Sequence, residues 1–242
     1  MSKSKSERLD KLLSNLGYGS RKDVQFWVKK RLIECDGMPV KSPSQKVDPL
    51  LVTFDGEKLD HPEGVTAIYH KPLGRVCSHK EEGILIYDDL PEQWQNRKPT
   101  LSSVGRLDKE TSGLLILTDD GQLNHHLTSP RHHISKTYAV TLDRQLAGNE
   151  AERFASGKLM LEDDDKPCLP AELEVIDDTH ANLVLHEGRY HQVRRMFAAT
   201  GNHVTELART HIGALSLDST GLEPGSYRTV TPDELLAMIS PD

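Results

Sequence analysis

The chain has 242 residues, three cysteines and a formal net charge of −7, long enough for two packed units with a sizeable core. Cys35, Cys77 and Cys168 are odd in number and far apart, in no spacing that suits a metal or redox centre, which predicts a reduced, cytoplasmic protein. Neither the N-terminal MSKSKSERLD nor any later run has the apolar stretch of a signal peptide or of a membrane span of roughly 20 residues, so neither secretion nor membrane insertion is expected.

Charge is uneven along the chain. Residues 1–47 hold 11 lysines and arginines against five acids, a balance of +6, which leaves −13 for the rest. A basic head on an acidic body is the asymmetry of a module that docks on a polyanion, although a helix pair with a solvated basic face gives the same count. In RLDKLLSNLGYGS, Leu9, Leu12, Leu13 and Leu16 share one helical face and Gly17 stops the helix. Ser20 with Asp23 forms a capping box for a second helix, whose stripe is Val24, Trp27 and Val28 and whose outer residues include Arg21, Lys22, Lys29, Lys30 and Arg31. LIECDGMPV then reads as a hairpin around Asp36-Gly37, and the unit ends near VTFDGEKL.

DHPEGVT carries breakers and no periodicity, so residues 61–66 are expected to link a head of residues 1–60 to a body of residues 67–242. In the body, strand-like runs dominate: AIYHKP, GLLILT, KTYAVTL, AELEVI, ANLVLHEG, HVTELART and GALSLD. Helical patterns interrupt them at 149–157, 189–200 and TPDELLAMI, where Thr231, Pro232 and Glu234 mark an N-terminus. The irregular alternation predicts an α+β body, a mixed and mainly antiparallel sheet flanked by helices.

Three segments stand out chemically. In SSVGRLDKETSGLLILT, Asp108 lies in a polar loop that leads into a buried-type strand, where catalytic groups are commonly displayed; by pattern alone its reading as a turn residue that binds nearby amides is favoured over catalysis. Tyr138 in KTYAVTL shares a face with Val140 and Leu142, as core filler or as a platform for a flat base. In EGRYHQVRRMFAATG, Val193, Met196 and Phe197 form a helical stripe that Arg194 flanks, and Arg195 falls on the outer face. A guanidinium at that border can reach a cleft and pair with a carboxylate, or simply sit on the surface. The histidines at 125–126, 132–133, 186 and 191 match no metal-ligand spacing, and no metal is expected.

GRLDKETSGLLILT, KTYAVTL and EGRYHQVRRMF, in this order and at these separations, closely resemble the signature segments of the RsuA-type pseudouridine synthases. TDDG, TSPRHH and GNHVTELARTHIG look like members acting on small-subunit ribosomal RNA more than like their large-subunit relatives. The head resembles the ribosomal-protein-S-four-like RNA-binding module such enzymes carry. The resemblance implies that Asp108 is the catalytic aspartate, Arg106 the motif arginine before it, Tyr138 the active-site tyrosine and Arg194 the basic partner of the carboxylate. It also implies isomerisation of one uridine of small-subunit (16S) ribosomal RNA, naked or partly assembled with proteins, by a monomer that needs no cofactor. The target base would be flipped out of its stack, with Arg21, Lys22, Lys29, Lys30, Arg31 and Arg195 as further RNA contacts. An ionised Asp108 could attack the ribose, attack the uracil or remove a sugar proton. Two other classes stay in view: an RNA-binding assembly factor with a degenerate body, and a metal-dependent nuclease using the histidines with the acidic run at 162–165, which reads as a solvated loop.

Overall fold

A computed structural model describes residues 6–129 and 132–240; Lys3 and Lys5 of the basic head, and Pro130 and Arg131 of the TSPRHH stretch, lie outside the described residues. Two units form. The first comprises the chain up to Thr66 with two returning segments, Tyr87–Ser102 and Leu117–Gly121. It starts with Glu7–Arg8 (β1), Leu9–Asn15 (α1) and Arg21–Lys29 (α2), followed by the short strands Ile33–Cys35 (β2), Met38–Pro39 (β3), Lys46–Val47 (β4), Val52–Phe54 (β5) and Glu57–Lys58 (β6). Both halves of the capping box are made: the Ser20 hydroxyl accepts from the Asp23 amide, and the Asp23 carboxylate accepts from the Ser20 amide. Asp36 and Gly37 both sit at positive φ, the backbone a tight hairpin demands. The core is Leu9, Leu12, Leu13, Leu16, Val24, Val28 and Ile33. Arg21, Lys22, Lys29, Lys30 and Arg31 stay exposed, with the Lys30 ammonium 5.6 Å from the centre of the exposed Phe26 ring.

The returning segment carries Glu92–Gln95 (α3) and is tied in by polar bonds that the local sequence does not announce. The buried Arg97 guanidinium donates to the Asp119 carboxylate (3.0 Å) and to the Asp60 and His61 carbonyls, and the Lys98 amide donates to the Asn15 carbonyl. Deleting residues 1–60 would strip the Asp60 and Asn15 carbonyls from these bonds, so surface substitutions test the head more cleanly than truncation.

The second unit is built on a sheet of Thr66–Lys71 (β7), Ser102–Ser103 (β8), Ser112–Thr118 (β9), Lys136–Leu142 (β10), Glu172–Val175 (β11), His180–Leu185 (β12), Val204–Ile212 (β13), Leu215–Ser216 (β14) and Tyr227–Thr229 (β15). The order is β11-β12-β10-β13-β9-β7-β15, with β14 on β13 and β8 on β9. Neighbours from β11 to β13 are antiparallel, as are β7 and β15, whereas β13 meets β9 in parallel. Its helices are Gly121–Thr128 (α4), Glu150–Ala155 (α5), Gln192–Ala198 (α6) and Pro232–Ile239 (α7). One core joins Val140, Leu142, Leu183 and Leu207 to Phe154 of α5 and Val193, Met196 and Phe197 of α6. A second joins Ile68, Leu114 and Ile116 to α4 and α7. The mixed, mainly antiparallel sheet agrees with the sequence pattern. Helix α4 is additional, since GQLNHHLT lacks a strong apolar stripe.

Where β9 runs beside β13, Gly113 has φ +113°, and a Cβ there would lie 2.2 Å from the Arg209 carbonyl oxygen. Backbone cannot yield as a flexible side chain does. Gly113→Ala should therefore lower the unfolding free energy by on the order of 3 kcal/mol, read from urea denaturation; a change below about 0.5 kcal/mol would show that the strands separate freely here.

Candidate active site

Within the second unit, a cleft of about 700 Å³ is lined by residues from β10, β13, the loop before β9 and the turn before α6. Period-2 geometry explains its floor: Lys136 and Tyr138 on β10 project to the same side as Leu207 and Arg209 on β13. A bulge shifts the β10–β13 register between Thr137 and Tyr138, so that Tyr138 faces Arg209 while Lys136 faces Ile212. Bulges recur where a sheet must re-aim a side chain. Tyr138 is half-buried and packs on the core beneath it.

The loop that carries Asp108 has its carbonyls bound one after another. The Leu107 carbonyl accepts from the Cys77 thiol (3.3 Å), and the Lys109 carbonyl accepts from the Gly74 amide (2.8 Å). The Lys71 ammonium donates to the carbonyls of Pro72 (3.2 Å), Asp108 (3.0 Å) and Thr111 (2.7 Å). The Glu110 carbonyl accepts from Arg194 (3.0 Å). Lys71 is fully buried; burial pushes its pKa below the usual lysine range, opposed by the nearby Cys77, Asp108 and Glu110. Burial likewise pushes the Cys77 thiol up. With the backbone held by other groups, the Asp108 carboxylate bonds no amide among the described residues and is free of the turn role that pattern alone favours. It lines the cleft, and one of its oxygens, Oδ1, lies 3.4 Å from the imidazole Nε2 of His191.

His191 is the N-cap of α6 at φ +49°, a left-handed conformation that costs a non-glycine residue about 1–2 kcal/mol. The surrounding turn is clamped. Arg189 and Arg195 share the Asp164 carboxylate (2.8 and 2.7 Å), Arg189 also binds Glu187 (3.0 Å), and Arg195 donates to the Tyr190 carbonyl (3.2 Å). Bonds from Arg189 first, then Arg195, hold the Asp164 carboxyl below its usual range.

Two expectations are corrected by this geometry. Arg194 does not pair with Asp108: its guanidinium donates to the Val204 (2.8 Å) and Glu110 carbonyls, because its side chain runs along the edge of the loop toward β13 and not into the cleft. Arg195 is not on an open outer face. It is half-buried and neutralised by Asp164, so the acidic run at 162–165 is an anchor for the α6 turn as well as a solvated loop. Arg106 lines the cleft mouth, exposed and 3.5 Å from Glu81.

Four residues in or beneath the cleft are not singled out by the sequence: Lys71 and Arg209 lie outside the signature segments, and Lys136 and His191 lie inside them without an assigned role. Lys136 is pushed below the usual lysine range by burial and, secondarily, by Arg209. Arg209 is buried, and its Nε donates to the Leu114 carbonyl (2.8 Å). Among the described residues, the buried side-chain polar atoms without a partner are Arg209 Nη2 and Thr111 Oγ1, and both residues line this cleft. An orphan buried donor is costly, and one that lines a cleft is open to whatever polar group enters it. A faint signal did exist: in ELART, Arg209 falls in the apolar phase of a strand, two residues from Leu207. No cluster of three or more His, Cys, Asp or Glu side chains among the described residues is arranged to hold a metal ion, and no helix among them is long and apolar enough to cross a membrane.

An α+β body with a mixed sheet, an acid displayed on a braced loop and a tyrosine on the strand beside it define a class. Residues 65–199 match the family model of RNA pseudouridylate synthases and residues 7–49 that of the S4 domain; the chain belongs to the RNA pseudouridylate synthase family, whose members are enzymes that isomerise uridine to pseudouridine. It is 41% identical over 237 residues to Ribosomal small subunit pseudouridine synthase A of Escherichia coli K12, covering 96% of this chain and 100% of that protein. It is 39% identical to an uncharacterized RNA pseudouridine synthase of Bacillus subtilis, covering 97% and 99%. A crystal structure of a pseudouridylate synthase, 38% identical, superposes with a TM-score of 0.66 over 97% of this chain and 100% of that one.

Lys71 gives a test of the braced loop. Lys71→Met preserves bulk but takes the ammonium from three carbonyls, of which that of Asp108 keeps the Thr111 amide; this should cost on the order of 2 kcal/mol and speed amide exchange at Asp108–Thr111. Because the folded-state pKa of Lys71 is lowered, the unfolded chain binds more protons as pH climbs toward the normal lysine range, so the parent gains stability there relative to the variant. Unchanged exchange at the loop would mean that Lys71 braces nothing.

Proposed function

We propose that this cleft isomerises one uridine of small-subunit ribosomal RNA, with Asp108 as the catalytic carboxylate and Tyr138 as the surface that receives the flipped uracil. The observation that carries the reading is that the Asp108 side chain is relieved of every backbone duty and faces a cleft large enough for a nucleotide. Its relatives are named for the ribosomal small subunit, which supports the choice of RNA.

The reaction breaks the bond from uracil N1 to ribose C1′ and joins C5 to C1′, while C5 loses a proton and N1 gains one; no electrons are exchanged. A carboxylate is needed as nucleophile or base, and the detached base must be held while it turns. Arg209, with Nη2 unpartnered, takes the cationic role expected of Arg194: its buried guanidinium meets negative charge that develops on the leaving uracil. Lys136 adds a second cation on the same floor. Arg106 and Lys109 at the rim serve the flanking phosphates. The exposed Arg21, Lys22, Lys29, Lys30 and Arg31 of the head supply affinity that is independent of sequence and weakens with salt. A cytoplasmic monomer acting on ribosomal RNA, free or partly assembled, fits this division.

Asp108→Asn keeps the shape and removes the carboxylate. It should reduce pseudouridine formation in unmodified small-subunit RNA by at least about 10³-fold, with RNA affinity within a few-fold. Turnover above a tenth of the parent rate would sink the assignment. Arg209→Ala should approach the same loss and Arg194→Ala should not; equal activity of Arg209→Ala and parent would return the cationic role to another group.

A further inference from the structure

Tyr190 is the most exposed large hydrophobic side chain of the described residues, 72% open, yet its ring has a stacking partner. Its ring stacks on His191 with centroids 3.8 Å apart and planes 17° from parallel. His191 in turn reaches the Asp108 carboxylate. Both residues line the cleft. The turn that carries them is the one braced by Asp164 through Arg189 and Arg195, with the Tyr190 carbonyl itself held by Arg195 and the Arg189 amide by the Gln192 side chain. An exposed aromatic ring usually has rotamer freedom and no rigid support; here a strained backbone and two ion pairs present one ring face to solvent beside the proposed catalytic acid.

We propose that the Tyr190–His191 stack is a substrate platform: the open face of Tyr190 receives an unpaired nucleobase next to the target uridine, and His191 backs that ring on the side facing Asp108. The proposal rests on the assignment of the cleft above. A flat, open aromatic face suits any nucleobase, since every base has a π-face, whereas a peptide ligand would call for a groove with alternating pockets. The nucleotides beside a flipped base have lost a stacking neighbour, and a protein ring can replace it. Tyr138 deeper in the cleft takes the target, so the two tyrosines read successive nucleotides.

The test uses the full chain with an unmodified small-subunit ribosomal RNA transcript. Tyr190→Ala, a surface change that leaves the fold intact, should raise KM about tenfold with kcat nearly unchanged. Tyr190→Trp and Tyr190→Phe should restore it, and Tyr190→Leu, equally apolar but not flat, should not. The same order of affinities should hold in an Asp108→Asn background, where binding is read without turnover. An unchanged KM for Tyr190→Ala, or rescue by leucine as complete as by tryptophan, overturns the platform. A parent protein that binds the transcript but forms no pseudouridine, while Tyr190→Ala still weakens binding, would instead refute the assignment of the cleft and leave the platform standing.

Discussion

The buried ammonium of Lys71 is the interaction on which the site depends. An ammonium taken out of water is costly unless its donors are filled, and here three carbonyls around Asp108 fill them. The arrangement stabilises the loop from below with a group that needs carbonyl oxygens, so the loop backbone is turned downward and the Asp108 side chain upward. Arg194 from the α6 side and the Gly74 amide close the remaining carbonyls. A short acidic side chain in a polar loop normally spends its oxygens on local amides. Removing that competition is what leaves a carboxylate available for chemistry.

The same logic governs the cations. In the second unit most arginines near the cleft are spent: Arg189 and Arg195 on acids, Arg194 on carbonyls. Arg209 is the exception, buried with one donor unused. A cleft rich in unspent positive charge would hold phosphates indiscriminately, whereas a single buried guanidinium with a spare donor can favour one developing charge. In the first unit the reverse holds, and the basic residues of α2 and its end stay exposed. The acidic total of the chain therefore conceals two different arrangements of charge, exposed cations on one unit and mostly paired ones around the cleft of the other.

What was legible in the sequence followed from short-range rules. The capping boxes at Ser20 and Thr231, the Asp36-Gly37 hairpin and the alternation of KTYAVTL depend on residues a few positions apart, and each appears as read. The return of Tyr87–Ser102 to the first unit depends on Arg97 meeting Asp119 and the 60–61 carbonyls, contacts made across 22 to 37 positions, and nothing local encodes them. Lys71 reads as the polar end of a strand before Pro72, because a lysine in sequence gives no sign of whether its head is wet or buried. Arg194 and Arg209 show the limit most sharply. Helical phase places Arg194 beside the buried stripe but says nothing of which way a long side chain leans, and β13 brings Arg209 opposite Tyr138 only after a bulge has shifted the register.

That bulge links the two cores to the site. Without it, the pairing of Lys136 with Ile212 would carry on unbroken along β10, and Tyr138 would face Thr210 instead of Arg209. A one-residue slip moves a side chain to the opposite face of a sheet, so Arg209 would leave the cleft floor. The neighbouring strand fixes the other side: Gly113 lets the β9 backbone press against Arg209, whose own guanidinium then ties to the Leu114 carbonyl. Backbone contact and side-chain bond hold the same residue from two directions, and both originate in the segment that follows the Asp108 loop. The acid and the cation are therefore positioned by one continuous stretch, residues 107–114, so that a disturbance of either strand moves both charges together.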